Sequence, residues 1–190
     1  MKSKKIVILV ALFAVLISIS AVVASKTILA KKPLYVAMGD SVAAGLGLKD
    51  LQSTNGCGRT KESYSYALAA ANDYKLENIA CSGATIDKGI LGAQKLKNEN
   101  NPSQLSQLAK MSKPKLITIT IGANDIDWTE AISSCFNNDC GSEEDTAKVT
   151  KSLDKLKENL DKMFTEIQKL YSGTQPQIVI TTYYDLIGKD

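Results

Sequence analysis

Ser41 closes the segment Gly39-Asp40-Ser41, directly after the apolar run Leu34-Tyr-Val-Ala-Met38. A serine at the carboxyl end of a strand can act as an exposed nucleophile, although Gly-Asp-Ser alone is equally a turn or a helix N-cap. Attack on an acyl carbon also needs donors for the oxyanion of the tetrahedral intermediate, which a backbone N–H at a glycine and a side-chain amide can supply. Gly83, in Ser82-Gly83-Ala84-Thr85, and Asn124, in Gly122-Ala-Asn124-Asp125, are of those two types. Singly, Gly83 reads as a tight turn and Asn124 as a cap or Asx-turn. Taken in order, each following an apolar run, the three segments suit acyl transfer through serine. The sequence contains no histidine. Asp40 and Asp125 are no substitute, because an ordinary carboxylate with a pKa near ~4 is a poor base for a hydroxyl at neutral pH.

Alternating strands and helices would have to position these groups. The first strand is Leu34–Met38, and residues 42–60 read as a loop containing Cys57. Tyr64, Ala67, Leu68 and Ala71 recur at helical spacing within a helix expected over 62–74. A second short strand is expected over 77–81, and a short helix through Leu105, Leu108 and Met111 after Asn101-Pro102. Leu116-Ile-Thr-Ile-Thr-Ile121 is a β-branched run suited to a strand covered on both faces. Ser142-Glu-Glu-Asp145 has the form of a capped helix start, and Val149, Leu153, Leu156, Leu160, Met163, Phe164, Ile167 and Leu170 follow as one apolar stripe that Gly173 should end. The stripe predicts a helix lying on a sheet rather than a coiled-coil seam. Ile178–Tyr183 is the fourth strand, apolar and left at a sheet edge. Such an order implies an α/β domain with a mostly parallel sheet, whose ligands bind outside the carboxyl ends of the strands. Gly39–Ser41, Ser82-Gly83 and Gly122–Asp125 then converge on one edge.

Charge and cysteine usage point to the compartment. The formal charge of +3 equals the contribution of Lys2, Lys4 and Lys5 at the N-terminus, so the rest of the chain is neutral. No Lys/Arg cluster is interleaved with aromatics, which argues against nucleic-acid binding. Residues 6–24 carry no charge and follow those lysines, the layout of an export leader. The stretch is also about long enough to span a bilayer, so residues 1–30 are expected to be a cleaved signal peptide or a membrane anchor, with the enzyme-like domain over 31–190. Cys57, Cys81, Cys135 and Cys140 include no C-x-x-C pair, and without histidine a zinc site would need all four thiolates at irregular spacing. Disulfides in an oxidising compartment are the better reading. Of the three possible pairings, order along the chain favours Cys57–Cys81 and Cys135–Cys140. Neither G-x-G-x-x-G nor G-x-x-x-x-G-K-[ST] is present, which argues against a nucleotide-binding domain.

Tyr35-Val-Ala-Met-Gly39-Asp40-Ser41-Val-Ala-Ala-Gly45, Ala80-Cys81-Ser82-Gly83-Ala84-Thr85 and Ile121-Gly122-Ala-Asn124-Asp125 resemble, in order, the first three sequence blocks of the SGNH (GDSL-type) hydrolases. Cys57-Gly-Arg59 to Ser63-Tyr64 resembles the secreted bacterial esterase and lipase branch, in which a cysteine here pairs with the one before the Ser-Gly. The resemblance runs from about Leu34 to Tyr184. It implies a flavodoxin-like three-layer α/β/α sandwich with a parallel sheet of about five strands. It also implies ester hydrolysis through a Ser41 acyl-enzyme, with an oxyanion hole from the Ser41 and Gly83 N–H groups and the Asn124 side chain. Gly39, Asp40, Gly122 and Asp125 would support those motifs, and no metal or organic cofactor is implied.

The family's fourth block, a D-x-x-H near the C-terminus, has no counterpart here. The expectation is therefore an exported ester hydrolase, present without that block, acting on lipid or acyl esters or on acylated carbohydrate. The alternative is a surface-anchored binding module on the same scaffold that does not hydrolyse. Loops 42–60 and 86–104 would set the specificity of either.

Overall fold

A computed structural model describes residues 31–49, 56–97, 99–137 and 141–183, the side chains of residues 131 and 134–137 excepted. The chain divides after Lys32, and the architecture below belongs to the unit Pro33–Asp190. The apolar leader at 6–24 and the Cys135–Cys140 pairing fall outside the described residues. Among the described residues no helix is long and apolar enough to cross a membrane.

In chain order the elements are β1 (Leu34–Gly39), α1 (Ser41–Ala44), α2 (Tyr64–Ala71), β2 (Lys75–Asn78), β3 (Gln94–Lys95), β4 (Asn100–Asn101), α3 (Gln104–Leu108), β5 (Leu116–Thr120), a 3₁₀ turn (Asn124–Ile126), α4 (Trp128–Asn137), α5 (Glu143–Lys169) and β6 (Gln177–Ile180). Four strands form one parallel sheet in the order β2-β1-β5-β6, and β3 and β4 make a separate antiparallel ladder. In register, Gly39 lies opposite Thr120 and Ile119 opposite Ile180, so β1, β5 and β6 run out at the same edge.

Alternation along the two central strands builds two different faces. Val36 and Met38 of β1, with Ile117, Ile119 and Ile121, pack against Met163 and Ile167 of α5. Tyr35, Ala37 and Leu116 pack on the other face with Ala69 and Leu68 of α2. Helices thus cover both faces of a parallel sheet, the α/β/α sandwich expected of the family. The run Leu116-Ile-Thr-Ile-Thr is buried throughout, yet its threonines need partners. Thr118 Oγ1 meets the Tyr35 hydroxyl at 2.8 Å, and the Tyr64 hydroxyl meets Thr118 and Thr120 at 3.2 and 3.1 Å.

Several elements differ from the sequence expectation: the fourth strand is Gln177–Ile180 rather than 178–183, and β3, β4 and α4 had no counterpart in it. The second strand is Lys75–Asn78 rather than 77–81. The polar Lys75-Leu-Glu-Asn suits an edge strand, while Ile79 N–H and Cys81 N–H still donate to Ala37 O and Gly39 O (2.9 and 3.0 Å) beyond it. Residues 41–44 form a helical turn instead of loop. Ser142 caps α5 as expected, accepting from Asp145 N–H at 3.1 Å, but the helix stops at Lys169 with Leu170 as its C-cap, short of Gly173. Its apolar stripe is only half used. At about 40 Å a 27-residue helix outruns strands of five or six residues, so Met163 and Ile167 are buried while Leu153 is 49% exposed.

Candidate active site

The Gly39–Ser41 turn is held from several sides. Gly39 has φ +128°, and a Cβ there would stand 2.0 Å from Thr120 O, so only glycine fits between β1 and β5. Gln104 on α3 is fully buried and clamps the same residue: Gly39 N–H donates to its Oε1 and its Nε2 donates to Gly39 O, both at 2.8 Å. Asp40 N–H donates to Thr120 O at 2.9 Å, and Asp40 Oδ1 caps α1 by accepting from Val42 N–H at 3.0 Å. Tyr183, after β6, donates its hydroxyl to Asp40 Oδ2 and accepts from Ala123 N–H at 3.1 Å. Ser41 follows at the first helical position, half-buried. Among the described residues neither its N–H nor its Oγ is committed to a hydrogen bond.

The Gly83 turn is tied to the loop before α2. Cys57 Sγ and Cys81 Sγ are bonded at 2.03 Å, a link across 24 residues. Ser82 donates both N–H (3.0 Å) and Oγ–H (2.7 Å) to Cys57 O, and Arg59 Nη1 donates to Ala80 O at 3.0 Å. Gln94 Nε2 donates to Ser82 O at 2.7 Å. Gly83 has φ +76°, reached at little cost only by a residue without a side chain, and it is exposed. Its N–H is likewise uncommitted among the described residues.

Asn124 opens the 3₁₀ turn after β5 and donates one Nδ2 hydrogen to Ala84 O at 2.9 Å, the second having no acceptor among the described residues. Asp125 accepts from Ile86 N–H at 3.0 and 3.3 Å. These bonds dock the Asn124 turn onto the Gly83 loop. Burial pushes the pKa of Asp40 up from its usual range, with the Tyr183 hydroxyl and local N–H groups pulling the other way. Burial also raises Asp125, opposed chiefly by the Ile86 N–H. The Tyr183 phenol is raised strongly by burial and by its bond to the Asp40 carboxylate.

The fold thus brings Ser41, Gly83 and Asn124 to one edge on turns bonded to one another. Sequence reasoning missed Gln104, Gln94 and Tyr183. Tyr183 could have been suspected as a phenol at the end of an apolar run, whereas Gln104 lies 65 residues from the glycine it clamps and carries no local signal. Among the described residues, no three acidic or cysteine side chains are grouped to hold a metal ion.

A family model described as GDSL-like lipase/acylhydrolase matches residues 37–188, the span that holds all three turns. The chain belongs to that family. A lipase of Streptomyces rimosus is 28% identical over 153 residues, which cover 78% of this chain and 52% of the relative. Lipase 1 of Streptomyces coelicolor is 32% identical over 103 residues, 53% of this chain and 34% of that one. This GDSL-type chain therefore spans about half the length, or less, of these curated relatives. In fold it is similar to the crystal structures of phospholipase A1 from Streptomyces albidoflavus NA297 (TM-score 0.57, 24% identity) and the extracellular lipase of Streptomyces rimosus (TM-score 0.57, 25% identity). These alignments cover 84% and 83% of this chain and 64% of each structure.

Proposed function

We propose that this chain carries the nucleophile and oxyanion hole of an exported serine ester hydrolase. The observation that supports this most is the pattern of unspent donors. In three otherwise well-bonded turns, the N–H of Ser41, the N–H of Gly83 and one Nδ2 hydrogen of Asn124 remain available among the described residues, beside an uncommitted Ser41 hydroxyl. In the proposed reaction Ser41 Oγ adds to the ester carbonyl carbon as its proton passes to a base, and the carbonyl oxygen becomes an oxyanion held by those three donors. Collapse expels the alcohol and leaves an acyl-serine, and water repeats the addition to release the acid and restore Ser41.

The sequence contains no histidine, so these 190 residues contribute the nucleophile and oxyanion half of the chemistry, and the base comes from outside them. Leu46 and Leu48, exposed just after α1 at 55% and 48%, support an ester with an apolar acyl group. The Cys57–Cys81 bond, the leader-like residues 2–24 and the likeness to an extracellular lipase support export. Residues 1–30 are then a signal peptide or anchor.

The missing imidazole favours a second reading, a module that binds such esters without turnover. A fluorophosphonate probe separates the two, because Ser41 Oγ would displace fluoride from phosphorus and form a stable adduct. The hydrolase reading expects one adduct, on Ser41, formed faster with added imidazole and absent in Ser41→Ala. A folded chain that gains no adduct even with imidazole would support the binding module.

A further inference from the structure

Asp40 is 1% exposed, and its two carboxylate oxygens do different work. Oδ1 caps the turn that begins with Ser41, while Oδ2 is met by the Tyr183 hydroxyl. The same hydroxyl accepts from Ala123 N–H, one residue before Asn124. A single phenol at the end of β6 therefore touches the nucleophile turn and the Asn124 turn together, although they follow different strands. We propose that Tyr183 is a positioning residue that holds the Asp40 carboxylate ionised as the cap of the Ser41 turn and fixes that turn relative to Asn124. The assignment rests on the hydrolase reading only for its effect on Ser41 reactivity.

The physical argument is one of compensation. A buried carboxylate loses hydration and must be repaid by donors, or it takes a proton. The groups around Asp40 are the Tyr183 phenol and the N–H groups of Asp40, Val42 and Ala43. Asp125, on the turn after β5, is a second carboxylate acting on the phenol. Without the Tyr183 hydroxyl, Oδ2 has lost its side-chain donor, and the balance at this buried carboxyl shifts toward the protonated acid. A protonated Asp40 is a weaker acceptor for Val42 N–H. Ala123 N–H would lose its acceptor in the same step, freeing the approach to Asn124. The ring of Tyr183 contributes packing, which Tyr183→Phe preserves, so that variant isolates the hydroxyl.

The test uses the full chain with ¹³C-labelled aspartate carboxyl groups, the Asp40 signal being assigned by its loss in Asp40→Asn. In Tyr183→Phe the Asp40 titration midpoint should rise by roughly one pH unit, the equivalent of one charge-assisted hydrogen bond. Fluorophosphonate labelling of Ser41 in the presence of imidazole should slow roughly tenfold, with the concentration for half-maximal labelling unchanged. Replacing Tyr183 by 3-fluorotyrosine, a stronger donor of the same shape, should move the Asp40 midpoint down, which keeps the test decisive if the phenylalanine variant does not fold. An Asp40 midpoint unmoved by either replacement overturns the inference, whatever the labelling does. Absence of labelling in the wild type, with the midpoint moving as expected, would overturn the hydrolase reading and leave the positioning role standing.

Discussion

The exits of β1 and β5 are built on the same plan and secured differently. Each places a glycine at large positive φ at the strand exit, Gly39 at +128° as the last residue of β1 and Gly122 at +125° two residues past β5, and each follows it closely with an aspartate, Asp40 buried and Asp125 half-buried, whose pKa burial raises. At β1 one carboxylate oxygen is spent locally, on the N–H two residues ahead, and the other on Tyr183, 143 residues along the chain. At β5 the Asp125 carboxylate reaches 39 residues back to Ile86 N–H, and Asn124 reaches Ala84 O. The first turn thus combines its own cap with clamps from Gln104, Thr120 and Tyr183, while the second is held chiefly by docking onto the Gly83 loop. That division suits a site in which a nucleophile must be held in one orientation and the oxyanion donors must be gathered from separate loops.

Several changes would break or sharpen the comparison. The largest is expected from Gly39→Ala, because its Cβ would sit 2.0 Å from a backbone oxygen that cannot swing away. A loss of more than about 4 kcal/mol, or failure to fold, should appear in urea denaturation. Gly122→Ala meets only Leu156 methyl groups at 3.3 and 3.4 Å and should cost about 1–3 kcal/mol, chiefly from its φ. Equal losses at the two glycines would erase the contrast.

Next comes Asn124→Ala, which removes one proposed oxyanion donor together with a tether to Ala84 O. The turnover number of an active form, complete with its base, should fall roughly 10²–10³-fold. An unchanged value would reduce Asn124 to a loop tie. Replacing Cys57 and Cys81 together by serine opens a 24-residue link and should cost about 3 kcal/mol by thermal or urea unfolding. The Gly83 loop should loosen while the Ser41 turn, held by Gln104 and Thr120, keeps its amide protection from hydrogen exchange.

The smallest effect is a pH dependence. Asp125 is raised above its ordinary 3.8 by burial, so the folded state holds its proton more tightly than the unfolded chain. The associated stability is fully present below about pH 4 and is lost as pH rises through the raised value. Asp125→Asn keeps an acceptor for Ile86 N–H but abolishes the titration. Its stability relative to the wild type should therefore improve from acid toward neutral pH, and a difference constant with pH would discount burial of the charge.

Much of this was written locally. β1 and β5 were legible because unbroken apolar and β-branched runs between turn residues have few other uses, and the position of Ser41, Gly83 and Asn124 on turns because each stands just beyond an apolar run in a short polar motif. The cap at Ser142 was legible for the same reason, since a hydroxyl bonding three residues ahead is encoded within one turn. The edge strand at Lys75–Asn78 was misplaced because its side chains carry little apolar periodicity, and the ladder alone put it beside β1. The hairpin of β3 and β4 was missed because two-residue strands have no period to read.

Chain order and residue type by themselves determined that a serine, a glycine and an asparagine would stand on turns at one edge of a parallel sheet, because alternating strands and helices put every strand exit on the same side. Only the tertiary structure decided what holds them there. Gln104 clamps Gly39 across 65 residues and Tyr183 reaches Asp40 across 143, bonds that exist only once the sheet has stacked β6 beside β5 and α3 beneath the first turn. No sequence window contains both ends of such a bond, and a buried polar group finds its partner by packing rather than by proximity along the chain.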